Sequence, residues 1–237
     1  VLDRSARVLD VPDDEPPDAA VLAAIAAAED EVEALMAQPV GVLETALDLD
    51  HFGECGVGNL TADALRERMG ADVALVVSGM FHQPLPAGTI SLGQLDATCF
   101  SSANPGLTEV RGVQILRALE RGLDPAINQT RHHSFRGTPA GIPQISGMQV
   151  EYDPEAEVGQ RVRRILVSGR PLDPNRIYRV AHTDAETMPE VGYLLLDGGQ
   201  TTDQEVPTIL REVIEDYLGQ HSPLPEPARG RWLAEQP

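Results

Sequence analysis

The residues in this chain best suited to chemistry gather around two glycine-bearing stretches. The first, Gly53-Glu-Cys-Gly-Val-Gly-Asn-Leu-Thr-Ala-Asp-Ala64, reads as a turn feeding a helix, because glycines at 56 and 58 open backbone angles closed to other residues. Asn59 or Thr61 is placed to accept hydrogen bonds from the unpaired N–H groups that open such a helix. The second, Val77-Ser-Gly-Met-Phe-His-Gln-Pro-Leu-Pro-Ala-Gly-Thr-Ile-Ser91, reads as a strand end running into a glycine loop. Three other chemistries fail on residue type. Cys55 lies near His51, but no cysteine-hydrolase signature and no Gly-x-Ser-x-Gly elbow accompanies them, and a lone cysteine in apolar surroundings is inert. Gly53 to Gly58 lacks the Lys-Ser/Thr ending of a phosphate-cradling loop. His132 and His133 are adjacent, diverge on any regular backbone and have no carboxylate at ligand spacing, so no metal is expected in this chain.

The elements that must position these residues alternate in mixed order. Residues 1 to 18 are acidic and broken by prolines, and read as a strand remnant and a linker ending in an N-cap at Asp18. Ala19 to Gln38 follows as a packing helix with Val21, Leu22, Ile25, Val32, Leu35 and Met36 largely at helical spacing; its polar face is acidic, which argues against a membrane-surface helix. Strands are predicted at Val40 to Leu49, Val73 to Val77, Leu107 to Val110, Gln144 to Tyr152, Val162 to Val167 and Tyr178 to His182. Helices are predicted at Asn59 to Met69, Gly112 to Arg121 and Asp203 to Leu218, with a short helical turn at Ser91 to Leu95 and a tail from Pro223. The loop from Asp124 to Pro143 carries Arg131, His132, His133 and Arg136, a basic cluster read first as a solvated loop. The fold class is α+β, a mixed β-sheet covered by helices.

An ordered series of segments resembles the C-terminal domain of the 5'-nucleotidase family: Gly58-Asn-Leu-Thr-Ala-Asp-Ala64, Leu85-Pro-Ala-Gly-Thr-Ile-Ser91, Arg111-Gly112, Ile145-Ser-Gly-Met-Gln-Val-Glu-Tyr-Asp153, Arg161-Val162 and Gly169-Arg-Pro-Leu-Asp173 leading into Tyr178-Arg-Val-Ala181. The resemblance runs from the helix at 19 to 38, similar to the family's interdomain helix, to about the final helix. It implies residues 1–38 as linker and interdomain-type helix and 39–237 as the domain. It further implies that the domain holds a nucleoside or nucleotide, while a separate N-terminal metallophosphoesterase domain carries two divalent metals for ester hydrolysis. The metal motifs of that domain, Asp-x-His, Gly-Asn-His-Glu and Gly-His-Thr-His, are absent here, so this chain alone is expected to be inactive.

The implied substrate-binding residues are His51, Ser78, Gly79, His82, Phe100 and Tyr193, with Arg131 or Arg136 nearby. Several depart from the family pattern. His82 stands where the loop's Arg sits, Ser78 replaces its Asn, Met80 its second Gly, and His51 aligns with an Arg. Phe100 falls at the first base-stacking ring and reads equally as a core aromatic. Only Gly192 and Tyr193 survive of the last loop, where Val191 replaces an Asp; Ala185 stands near the second ring. A pocket so altered is expected to discriminate poorly. The competing reading is a degenerate domain acting as a structural or protein-interaction module without a small-molecule ligand.

Composition narrows partners. A net charge of −19 repels polyanions, which disfavours nucleic acid and anionic lipid. No apolar run approaches the about eighteen residues that span a bilayer. The start at Val1-Leu-Asp-Arg4, without Met or signal segment, reads as an interior cut, and only the resemblance suggests a periplasmic, secreted or cell-surface address. Cys55 and Cys99 allow one disulfide at most and read as small packed residues.

Overall fold

The run Val73-Ala-Leu-Val-Val77 is apolar at every position, which suits a strand covered on both faces, and all five residues are buried in β2 (Val73–Val77). The computed structural model describes residues 6, 12, 16–131, 137–187 and 200–235. β2 pairs in parallel with β9 (Ile177–Thr183) and antiparallel with β5 (Pro143–Ser146). With β4 (Pro105–Arg111) and β10 (Gln200–Gln204) they make a mixed sheet in the order β10-β4-β9-β2-β5. A second sheet runs β11 (Trp232–Ala234), β6 (Met148–Tyr152), β7 (Val162–Val167), β8 (Arg170–Pro171). β1 (Pro39–Leu43) and β3 (Gly88–Ser91) form a separate antiparallel ribbon.

Helix α2 (Gly56–Arg68) packs on β2 and β5, and α7 (Leu210–His221) packs on α2 and β1. The approach of α2 to β5 depends on Gly58, where an added Cβ would overlap the Gln144 side chain. α3 (Leu92–Thr98) carries a capping box between Ser91 and Gln94. α4 (Gly112–Gly122) buries Ile115, Ala118 and Leu119 and leaves Arg117 and Arg121 exposed, one apolar stripe and one polar face. The short helices α5 (Pro125–Asn128) and α6 (Asp184–Thr187) follow α4 and β9. The α+β class, a mixed sheet covered by helices, is what the sequence predicts.

Several elements differ from their sequence expectation. α2 opens at Gly56, and neither Asn59 nor Thr61 caps it: Asp48 accepts from the Gly56 and Val57 N–H groups, while Thr61 donates to the Val57 carbonyl. The expected strand from Gln144 to Tyr152 divides into β5 and β6 at Gly147, whose φ of +75° turns the chain from one sheet to the other. The expected helix from Asp203 begins at Leu210. Gln200 to Gln204 instead pairs with β4, a choice that completes the sheet edge, and Pro207 offers no N–H to a helix. α1 (Ala19–Met36) forms under its Asp18 cap, but Val21, Leu22, Ile25, Val32, Leu35 and Met36 stay 36–56% exposed, so it is not the packed helix expected.

The segment after Pro223 is not a loose tail. Leu224 exchanges backbone hydrogen bonds with Val42 and Glu44, and the Ser222 hydroxyl accepts from the Val42 N–H. Further on, Glu54 Oε2 accepts from the N–H groups of Gly230 and Arg231, and Trp232 donates its indole N–H to the Pro143 carbonyl at 3.0 Å. The Arg231 guanidinium, 9% exposed, pairs with Asp63 at 2.6 Å and donates to the Ile145 carbonyl at 2.6 Å. Removing one partner of a buried pair strands the other charge. Arg231→Leu is therefore expected to destabilise the chain by about 3 kcal/mol, read as a lowered urea midpoint; a loss below about 1 kcal/mol would mean that the pair adds no more than an exposed one.

Candidate functional site

The end of β2 turns through Ser78–Met80 in one 3-10 turn, and this turn is laced to His51 from both directions. Nδ1 of His51 lies 3.1 Å from the Ser78 carbonyl oxygen, and the Ser78 hydroxyl donates to the His51 carbonyl at 3.0 Å. A carbonyl only accepts, so Nδ1 carries the hydrogen and Nε2 of the neutral ring is an acceptor. A strap at residues 138–142 closes the cluster. Gly79 N–H donates to the Ala140 carbonyl at 2.9 Å, the Thr138 hydroxyl to the Gly79 carbonyl at 2.7 Å, and Ile142 N–H to the His51 carbonyl at 2.7 Å. Only glycine fits within the strap at 141, where φ is +71° and a Cβ would land on the Ser78 hydroxyl and the His51 carbonyl.

His82 and Phe100 meet because the C-terminus of α3 holds both. His82 N–H donates to the Thr98 carbonyl at 2.9 Å, and the two rings stack with centroids 4.2 Å apart and planes 20° apart. The structure thus brings His51, Ser78 and Gly79 into one hydrogen-bonded unit and His82 and Phe100 into a second, joined through Met80 and Phe81. Tyr193 lies outside the described residues, as do His132, His133, Arg136 and Val191. Burial lowers the His51 pKa; the Ser78 carbonyl and Asp50 oppose that shift, and the nearby Arg131 charge adds to it.

Two buried groups behind this cluster carry no sequence signal. Glu186, 1% exposed, accepts from Val77 N–H at 2.9 Å with one oxygen, and from the Thr183 N–H and hydroxyl at 2.6 Å each with the other. It ties the adjacent ends of β2 and β9. Burial pushes its carboxyl up to about 7 despite those donors. His182, also buried, donates from Nδ1 to the Thr183 carbonyl and accepts at Nε2 from Thr108, and burial lowers its pKa. Gln144 likewise went unforeseen: it accepts from Cys55 N–H and donates to the Gly53 carbonyl, fixing the first glycine stretch. Their partners are set by the packing of β2, β4, β9 and α2, so no spacing in the sequence marks them.

Other chemistries meet physical obstacles. Both thiols are free and buried; burial pushes Cys99 up to about 12 and raises Cys55 as well. The N–H groups opening α2 are already taken by Asp48, whose carboxyl burial pushes up but Arg229 and the Gly56 N–H hold below its usual range. Among the described residues no three His, Cys, Asp or Glu side chains are arranged to hold a metal, and no helix is long and apolar enough to cross a membrane. A cleft of about 890 Å³ opens elsewhere, between α4, α5 and residues 158–163, and none of the candidate ligand residues lines it.

Comparison with known proteins supplies the context. Residues 37–193 match the family model described as 5'-nucleotidase, C-terminal domain. The uncharacterized metallophosphoesterase YunD of Bacillus subtilis (strain 168) is 26% identical over 194 residues, covering 81% of this chain and 42% of that protein. Protein UshA of Yersinia enterocolitica is 24% identical over 186 residues, covering 78% of this chain and 30% of that protein. The chain thus spans less than half the length of these curated relatives. A 5'-nucleotidase precursor from Thermus thermophilus superposes with a TM-score of 0.77 at 24% identity, over 94% of this chain and 44% of its own, a likeness of fold.

The Glu186 carboxyl generates a pH prediction. Its folded pKa of about 7 exceeds the ordinary 4.5, so between those values the folded chain holds a proton that the unfolded chain has released. Its stabilising effect is complete below pH 4.5, falls as pH rises through the window and is spent above pH 7, a change of at most about 3 kcal/mol. The lowered pKa values of His51 and His182 act oppositely, costing stability as pH falls through 6.5. In urea titrations from pH 4.5 to 8, Glu186→Gln should therefore lack a downward component that the parent shows; parallel curves would refute it.

Proposed function

The chain belongs to the 5'-nucleotidase C-terminal-domain family, and we propose that it is the part of a two-domain metallophosphoesterase that grips the nucleoside or nucleotide. In this reading the two divalent metals and the ester cleavage belong to an N-terminal domain. The observation that carries it is the lacing of His51 to the Ser78–Gly79 turn beside the stacked His82–Phe100 pair, within the matched span. The base would stack on the His82–Phe100 pair, and Tyr193 is assigned to the same pocket from sequence alone. At neutral pH the acceptor at His51 Nε2 suits a sugar hydroxyl; on protonation it becomes a donor with charge and suits phosphate. Arg131 lies within electrostatic reach of His51 and would help hold a phosphate.

The second reading, an interaction module without a small ligand, is favoured by one observation: the apolar stripe left open along α1.

Calorimetric titration separates the two. Adenosine and AMP are both expected to bind, with Phe100→Ala weakening each by about 1–3 kcal/mol, or roughly 5- to 150-fold. AMP should gain affinity between pH 8 and pH 5.5 while adenosine does not, and His51→Gln should abolish that gain. Neither ligand binding at millimolar concentration would end the nucleoside reading in favour of the module.

A further inference from the structure

We propose that Arg229 is a positioning residue for His51: it clamps both feet of the loop at residues 48–54 that presents the imidazole to the ligand. The inference rests on the nucleoside reading above, and Arg229 lies outside every motif that carries the family resemblance.

A single guanidinium makes the clamp. Nη2 of Arg229 donates to Asp48 Oδ1 at 2.5 Å and Nη1 to Asp48 Oδ2 at 3.3 Å, a two-pronged pair, while Nη1 also reaches the Glu54 carbonyl at 3.4 Å. Asp48 and Glu54 stand three residues to either side of His51. Each foot is tied to the opening of α2 as well, since the Asp48 carboxylate accepts from Gly56 N–H at 2.7 Å and the Glu54 carboxylate from Asn59 Nδ2 at 2.7 Å. Nε of Arg229 donates to Glu226 at 2.7 Å, which aims the fork.

The segment that carries Arg229 is anchored on both sides. Upstream, Leu224 exchanges backbone bonds with Val42 and Glu44; downstream, Gly230 and Arg231 donate to Glu54, and Trp232 to Ala234 pair with β6. The apex of the loop is held from the opposite side. The His51 carbonyl accepts from the Ser78 hydroxyl and Ile142 N–H, and the Gly53 carbonyl accepts from Gln144. Those bonds fix the main chain at the apex but leave the loop able to turn about it, and the imidazole itself is bonded through Nδ1 to the Ser78 carbonyl at 3.1 Å. Fixing the feet removes that rotation, so a ligand meets an imidazole already ordered.

The side chains of Arg229 and Asp48 are 38% and 55% exposed, so their pairing adds little to global stability. Its effect is local. The nearby charges that act on the His51 ring are those of Asp50 and Arg131, so a changed His51 titration in an Arg229 variant reports a moved loop rather than a lost charge.

The test follows the histidine Cε1–Hε1 resonances of the whole chain by NMR against pH, with His51 assigned from His51→Gln. In Arg229→Gln the His51 pKa should rise toward the ordinary 6.5 as its burial relaxes, with His182 and the urea midpoint unmoved. Arg229→Lys should give the same rise, because one ammonium cannot span Asp48 and the Glu54 carbonyl. Asp48→Asn, which keeps an oxygen for Gly56 N–H but denies the fork its second acceptor, should repeat the rise from the other side. AMP affinity at pH 5.5 should fall about two- to tenfold in each variant, because the ligand must then order one more side chain. A His51 titration like the parent's in these variants, a shift shared by His182, or parent-like behaviour of Arg229→Lys would overturn the proposal. A parent chain that binds no AMP would instead sink the nucleoside reading, and the His51 titration would still decide the clamp.

Discussion

The parallel pairing of β2 with β9, closed at its end by the Glu186 carboxyl, is the constraint on which the candidate site depends. At the point where both strands stop, Val77 and Thr183 would each leave a buried N–H without a partner, and a single carboxylate satisfies both. The Ser78–Met80 turn leaves β2 immediately beyond that tie, so its position is inherited from the sheet. His51, the 138–142 strap and Gly141 then hold the turn from the other side by backbone-directed bonds. Geometry set this way does not rely on long side chains adopting one rotamer, which is what a preformed recognition surface requires.

How much of this is legible in sequence depends on whether the deciding interaction is local. β2 is read correctly at both ends because its apolar run is continuous, and β7 because its apolar residues Val162 and Ile165 to Val167 stop at the Ser168-Gly169 turn. The Ser91 cap of α3 and the Asp18 cap of α1 are local signals of the same kind. Failures arise where distant residues decide. Asp203 looks helical until β4 offers an edge to pair with, and Asn59 looks like a cap until Asp48, eight residues before α2, takes the opening N–H groups. The candidate ligand residues came from ordered motifs, whereas Glu186, His182 and Gln144 act through partners far along the chain or through burial, neither of which composition encodes.

Charge is distributed with a similar division of labour. Most ion pairs, such as Arg68 with Glu205 and Arg164 with Glu151, lie at the surface and contribute little each. The buried set is small and fastens backbone: Glu54 and Arg231 together take up loose N–H and C=O groups from residues 145 and 228–232. The acidic exterior therefore governs which molecules approach, and the few internal charges govern which segments meet.

The return of the segment at 222–232 has a consequence for biosynthesis. Ser222 and Leu224 complete β1, laid down some 180 residues earlier, and Trp232 closes over β5 and β6. During translation the edge of β1 that β3 does not pair must wait until residues 222–224 have been made. Contacts of such sequence separation slow closure and lengthen the exposure of apolar strands. Until residues 222–232 have been made, that edge of β1 and the edge of β6 that pairs with β11 are left uncovered.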